Sequence, residues 1–290
     1  MTELRLSKLH ATGNDFLVQL GLDADEPELD AAVVAALCDR HRGIGADGLI
    51  TIGPGRDRAD CSMTLVNADG GPAEMSGNGV RCLAWVAAKA GLVQGDELVV
   101  DTAAGRRRVS VERDSWGEVV AAEVDMGEVT FDPDRIPVDA ETPFDLDAVV
   151  DGTSYHGDAA GAGNPHFVVL VDDPATVPVV AHGSRIEHDP RFPHRTNVEF
   201  ISVTGTDRLA MRVWERGVGE TQSCGTGACA SAAVAHRRRL VGERVRVDVL
   251  GGSLEVTLGP SARLGGPVVH VFDVVMPRAA LLESLARPTG

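Results

Sequence analysis

Apolar residues along this chain follow two rhythms. Short runs such as Leu49-Ile50-Thr51-Ile52 and Phe200-Ile201-Ser202-Val203 read as strands. Elsewhere Val80, Leu83, Ala84, Ala87 and Ala88 recur at helical spacing until Gly91 supplies a stop. A second helical stretch, Ala228 to Ala235, is small-sided and apolar over almost its whole surface, which predicts a helix buried inside a surrounding sheet. A strand pair follows each helix: Glu97 to Asp101 with Arg107 to Glu112, and Arg244 to Val249 with Ser253 to Leu258, each joined by a Gly-containing turn.

The rhythm occurs twice because the chain is written twice. The segment MTLVNADGGPAEMSGNGVRCLAWVAA from Met63 matches MRVWERGVGETQSCGTGACASAAVAH from Met211 in layout. In both, a strand runs through a polar, Gly-rich loop to a small-residue motif: Ser76-Gly77-Asn78-Gly79 in the first copy, Cys224-Gly225-Thr226-Gly227 in the second, 148 positions on. Gly13-Asn14-Asp15-Phe16 and His41-Arg42 have counterparts in Gly163-Asn164-Pro165-His166-Phe167 and His194-Arg195. The expected fold is α+β, with two similar domains from an internal duplication, each wrapping a curved mixed sheet around a central helix. The junction falls after Met126-Gly127, giving domains 1–126 and 127–267.

Composition narrows the function. A net charge of −16 opposes nucleic-acid and anionic-membrane roles, and the basic run Arg237-Arg238-Arg239 reads as a solvated helix end. No apolar stretch is long enough to span a bilayer and the opening residues lack a signal pattern, so a cytoplasmic protein is expected. Five cysteines, an odd number without a CxxC pair, argue against a disulfide framework and a structural zinc site. Only Lys8 and Lys89 could form a Schiff base, and neither position suits pyridoxal phosphate. Gly43-Ile44-Gly45-Ala46-Asp47-Gly48 fits GxGxxG, but with a helical pattern before it and a strand after it, the reverse of the dinucleotide-binding order. No metal and no cofactor are expected.

A helix that opens with Ser-Gly-Asn-Gly or Cys-Gly-Thr-Gly offers unpaired backbone N–H groups to an anion, and its glycines allow close approach. A cysteine there also feels the positive end of the helix dipole, which favours thiolate. Ser76 taken alone reads first as an ordinary N-cap. Two such termini facing one another across a domain interface could hold one carboxylate, with Ser76 and Cys224 flanking the adjacent carbon as an acid/base pair.

The stretches KLHATGNDF, DRHRGIGADGL, NADGGPAEMSGNGVRC, GNPHFV, NVEF and ERGVGETQSCGTGACA resemble the diaminopimelate epimerase family along nearly the whole chain. The resemblance implies that the final segment, 268–290, returns to the first domain. It also implies interconversion of LL- and meso-diaminopimelate without metal or pyridoxal phosphate, a homodimer, and a role in lysine and peptidoglycan synthesis. By matched position, Cys224 is one catalytic residue, Ser76 occupies the place of the other, and His166 sits beside the pair. Gly77, Asn78, Gly225 and Thr226 bind the carboxylate at the reacting centre, while Asn14, Asn67, Asn164, Asn197, Glu215 and Arg216 hold the remaining polar groups, Arg216 the distal carboxylate and Glu215 an ammonium. The departure is Ser76, where the family pattern has a cysteine. A hydroxyl is a far weaker acid than a thiol. The sequence therefore leaves open an impaired epimerase, an epimerase working with a Cys/Ser pair, a dehydratase or lyase of the same fold using one thiol base, and a non-catalytic amino-acid-binding relative.

Overall fold

The computed structural model describes residues 3–22, 29–73, 75–93 and 95–277. The chain divides into two compact units, Met1–Val124 with Pro267–Gly290, and Asp125–Gly266. Residues 278–290, part of the segment expected to return to the first domain, lie outside the described residues.

In the first unit the order is β1 (Glu3–Ala11), β2 (Asn14–Leu20), α1 (Ala31–Cys38), β3 (Gly48–Pro54), β4 (Cys61–Asn67), β5 (Pro72–Ala73), α2 (Gly77–Lys89), β6 (Glu97–Thr102), β7 (Gly105–Arg113) and β8 (Val119–Gly127). The second unit follows with β9 (Leu146–Val150), β10 (Thr153–Gly161), β11 (Pro165–Leu170), α3 (Val179–Ile186), β12 (Asn197–Gly205), β13 (Arg208–Glu215), β14 (Gly219–Glu220), α4 (Gly225–Arg237), β15 (Arg244–Val249), β16 (Gly252–Thr257) and β17 (Ala262–Pro267). A last strand, β18 (Val269–Pro277), pairs antiparallel with β1 of the first unit.

The pairing repeats. β2 runs parallel to β3 with Phe16 opposite Gly48, and β11 runs parallel to β12 with His166 opposite Asn197. β3 then pairs antiparallel with β4 and β4 parallel with β6, as β12 does with β13 and β13 with β15. The mixed sheet of each unit curves around one 13-residue helix, α2 or α4, and carries an 8-residue helix, α1 or α3, against its strands. Strands covered on both faces need apolar residues at consecutive positions, as Phe167-Val168-Val169 of β11 shows, so period-two alternation is lost there.

α2 and α4 start and stop for local reasons. Ser76 and Cys224 have extended backbones and cap the helices by accepting hydrogen bonds from the amides of Gly79 and Gly227. Beyond α2, Gly91 takes a φ of +77°, which a side chain would resist. The small side chains of α4 are buried along nearly its whole length, as expected of a helix enclosed by sheet. Cys82 and Cys229 are core residues with no exposure. Two residues of the basic run at the end of α4 are engaged rather than solvated: the guanidinium of Arg237 lies 3.1 Å from the Phe144 ring centroid, and Arg238 pairs with buried Asp158 at 2.5 Å, while Arg239 is exposed as expected. Among the described residues no helix is long and apolar enough to cross a membrane.

Candidate active site

Each unit builds a polar cluster at the N-terminus of its enclosed helix. In the first, Ser76 caps α2, its Oγ accepting from the Gly79 amide at 3.1 Å. Asn78, one residue into the helix, donates its amide to Asn14 Oδ1 at 3.2 Å and accepts from the fully buried Arg81 guanidinium. Asn14 in turn donates to Asp47 Oδ2 at 2.6 Å. Asp47 belongs to the GIGADG turn after α1, where the chain crosses so closely that a methyl built on Gly43 would meet the Ala36 carbonyl at 2.1 Å. Arg40 grips both Asp47 and Asp15 at 2.6 Å, and Lys8 reaches Asp15 from β1. Burial works against the Asp15 carboxylate, but the Arg40 and Lys8 hydrogen bonds outweigh it and hold its pKa at about 2. Burial lowers Arg81 to about 10. Asn67, at the end of β4 opposite Gly48, is exposed.

The second cluster is more acidic and more deeply buried. Cys224 caps α4, with Sγ 3.4 Å from the Gly227 amide and 3.4 Å from Thr226 Oγ1. Glu215 ends β13 and accepts from the Thr221 hydroxyl at 2.5 Å. His166 and Glu199, side by side on β11 and β12 and both without exposure, meet through Nδ1 and Oε1 at 2.7 Å. The other ring nitrogen, Nε2, is 2.8 Å from Asn164 Oδ1. Asn197 ties two loops together, accepting from the Arg216 amide at 2.9 Å and donating to the Pro165 carbonyl at 2.8 Å. Arg216 itself is exposed, one guanidinium nitrogen 3.1 Å from the His194 carbonyl.

Electrostatics reverse one expectation. The helix terminus was expected to favour thiolate at Cys224. Burial instead pushes this thiol well above its ordinary range, the charges of Glu215 and Glu199 push further, and the Thr226 and Gly227 contacts offset only part of it. Burial likewise raises the Glu215 carboxyl, with Glu199 adding to the effect. The other four cysteines are also raised by burial, Cys38 to about 11 and Cys61, Cys82 and Cys229 to about 12.

The architecture matches solved structures that include epimerases and phenazine biosynthesis proteins of the PhzF family. One is a hydroxyproline epimerase from Agrobacterium vitis, 18% identical, covering 94% of this chain and 92% of that one with a TM-score of 0.68. At the sequence level the family model for diaminopimelate epimerase matches residues 6–131 and 159–270. The chain belongs to the diaminopimelate epimerase family. Relatives named diaminopimelate epimerase include that of Moorella thermoacetica, 39% identical over 272 residues, with 91% of this chain and 96% of the relative covered. That of Pelotomaculum thermopropionicum is 40% identical over 277 residues, covering 93% and 98%. Family membership makes the chain an isomerase of the racemase and epimerase type.

Several of the residues expected at the site make direct contacts within each unit: Asn14 with Asn78 in the first, Asn164 with His166, Asn197 with Arg216 and Thr226 with Cys224 in the second, whereas Ser76 bonds to the Gly79 amide and Asn67 is exposed. Motif reading missed Asp47, Arg81, Thr221 and Glu199, each of which bonds directly to one of those residues. It also missed Glu187, which holds the loop after β13 through the Trp214 indole at 2.7 Å and the Gly217 amide at 2.9 Å. A signal existed for Glu199, an acid between Val198 and Phe200 in an otherwise apolar strand, and for Arg81, a charge inside the apolar face of α2.

Proposed function

We propose that this chain interconverts LL- and meso-2,6-diaminopimelate by moving a proton at one α-carbon, using no metal and no pyridoxal phosphate. The observation that carries the reading is the repeated helix terminus, capped by Ser76 in one unit and by Cys224 at the equivalent place in the other. In this reading the α-carboxylate accepts hydrogen bonds from the first amides of the two helices, at Gly77, Asn78, Gly225 and Thr226. Those donors spread the negative charge that builds up as the proton leaves. Cys224 exchanges a proton on one face of the carbon and Ser76 on the other.

A neutral Cys224 is already a proton donor. To act as a base it must ionise, and the main electrostatic obstacles beyond burial are Glu215 and Glu199. A substrate ammonium beside Glu215 offsets that charge, so arrival of the diamino acid itself favours the thiolate. Arg216 takes the distal carboxylate, where its planar fork suits two parallel hydrogen bonds, and Asn14, Asn67, Asn164 and Asn197 orient the rest. In this reading His166 stands beside the pair. A cytoplasmic homodimer belongs to the same proposal, and the exposed Val269, Val271, Phe272 and Val275 of β18 supply an apolar surface for a second copy.

The test is to incubate the protein with LL- or meso-diaminopimelate in D2O and follow the α-proton by NMR and the isomers by chiral chromatography. Exchange at the α-carbon is expected, and its absence from both isomers contradicts the reading. The Ser76 hydroxyl favours one second reading, a lyase that needs only the Cys224 base. That reading predicts an unsaturated product from a substrate with a β leaving group, which diaminopimelate lacks.

A further inference from the structure

The two units repeat the same backbone but differ beneath the helix caps. Under Ser76 the paired strands carry Phe16 and Ile50. At the equivalent places under Cys224 they carry His166 and Glu199. The match is close in space: a methyl built on Gly79 would lie 3.0 Å from Ile50 Cδ1, and one built on Gly227 would lie 2.6 Å from Glu199 Oε1. An apolar pair thus fills this place in one copy of the fold, whereas the other buries a histidine and a carboxylate without exposure. Replacing buried ion pairs with well-packed apolar groups is often neutral or stabilising. The fold has no need of the pair, which points to the reaction.

The geometry fixes the imidazole. With Glu199 Oε1 at 2.7 Å, Nδ1 carries hydrogen; Asn164 Oδ1 lies 2.8 Å from Nε2, a contact that is a hydrogen bond when Nε2 also carries hydrogen and that becomes an Asn164 N–H donation to a bare Nε2 when the amide is turned over. Glu199 Oε2 is buried and has no hydrogen-bond partner among the described residues. A carboxylate left half-satisfied is costly, and here its charge is directed into the cluster that also contains Glu215 of β13 and Cys224 of α4.

We propose that Glu199 is a positioning residue for the epimerase reaction: it holds His166 by its Nδ1 hydrogen, so that the ring and Asn164 are presented to the substrate in one orientation. This rests on the proposed function, in which His166 stands beside the acid/base pair. A residue acting this way governs the rate more than substrate binding, because the contact it maintains matters most as charge moves in the transition state.

Two measurements on the full chain test it. Histidine ring 15N NMR of the unaltered protein should show a His166 Nδ1 proton that exchanges slowly with solvent. An Nδ1 without hydrogen overturns the proposal and needs no variant. Glu199→Gln keeps the shape and removes the charge. α-Proton exchange from diaminopimelate should then fall in kcat by about tenfold or more, with KM within about threefold, a displaced pH profile and an unchanged Tm. An unchanged kcat and pH profile in the folded variant overturns the positioning role alone, whereas no exchange by the unaltered protein overturns the proposed function.

Discussion

Cys224 shows why a helix terminus does not by itself make a reactive thiol. The dipole and two contacts favour ionisation, but burial and two carboxylates win, so the thiol stays protonated at neutral pH. Its modification by iodoacetamide should accordingly be slow at pH 7 and accelerate as pH rises through and beyond the ordinary thiol range. Glu215→Gln removes a neighbouring negative charge, and loss of that repulsion favours the thiolate. The labelling profile of Cys224, followed by mass spectrometry, should therefore move to lower pH in this variant. A profile that stays in place or moves upward contradicts the electrostatic assignment. Arg216 belongs to the same scale. Arg216→Lys keeps the charge and loses the fork, so the Kd for diaminopimelate measured by calorimetry should rise substantially, and an unchanged Kd places the distal carboxylate elsewhere.

The enclosed helices α2 and α4 show what close approach demands. On Gly79 a methyl would meet the ends of Ile50 and Met63 and the Ser76 Cβ at 3.0 to 3.2 Å, contacts that small side-chain shifts relieve. On Gly227 it would press on a buried carboxylate at 2.6 Å whose other oxygen already lacks a partner. Gly227→Ala should cost about 1–3 kcal/mol of stability and lower Tm more than Gly79→Ala does, a difference that thermal denaturation of the two variants reads directly. Equal Tm values contradict the packing described. These helices were legible in the sequence because their glycine motifs, their caps and the spacing of Val80, Leu83, Ala84 and Ala87 are local signals. The His166–Glu199 contact was not, since its partners are 33 positions apart and meet only through the register of β11 and β12. Nor was the direction of the Cys224 shift, which depends on burial that no motif records. The Asn14–Asp47 bond had the same fate, because it joins residues on either side of α1.

At the scale of the whole molecule, duplication was readable from the constant spacing of the two motifs, and it supplies equivalent helix caps with unequal chemistry. Exposed apolar side chains on β18 are expected to meet a second copy. Replacing Val271 and Phe272 by Lys and Glu should shift the protein to monomer in sedimentation velocity, and a parent that already sediments as monomer contradicts the dimer. In the proposed reading, inversion requires Ser76 and Cys224 to act on opposite faces of one α-carbon, and a serine hydroxyl is a poor partner for a thiol in proton transfer. The direct measurement compares the chain as written with Ser76→Cys in D2O, starting separately from LL- and meso-diaminopimelate. The chain as written should exchange the α-proton of one isomer with little inversion. Ser76→Cys should raise inversion from both isomers by roughly a hundredfold to ten-thousandfold. Rapid inversion by the serine form, or no gain from the cysteine, contradicts the assignment of the two caps as the acid/base pair.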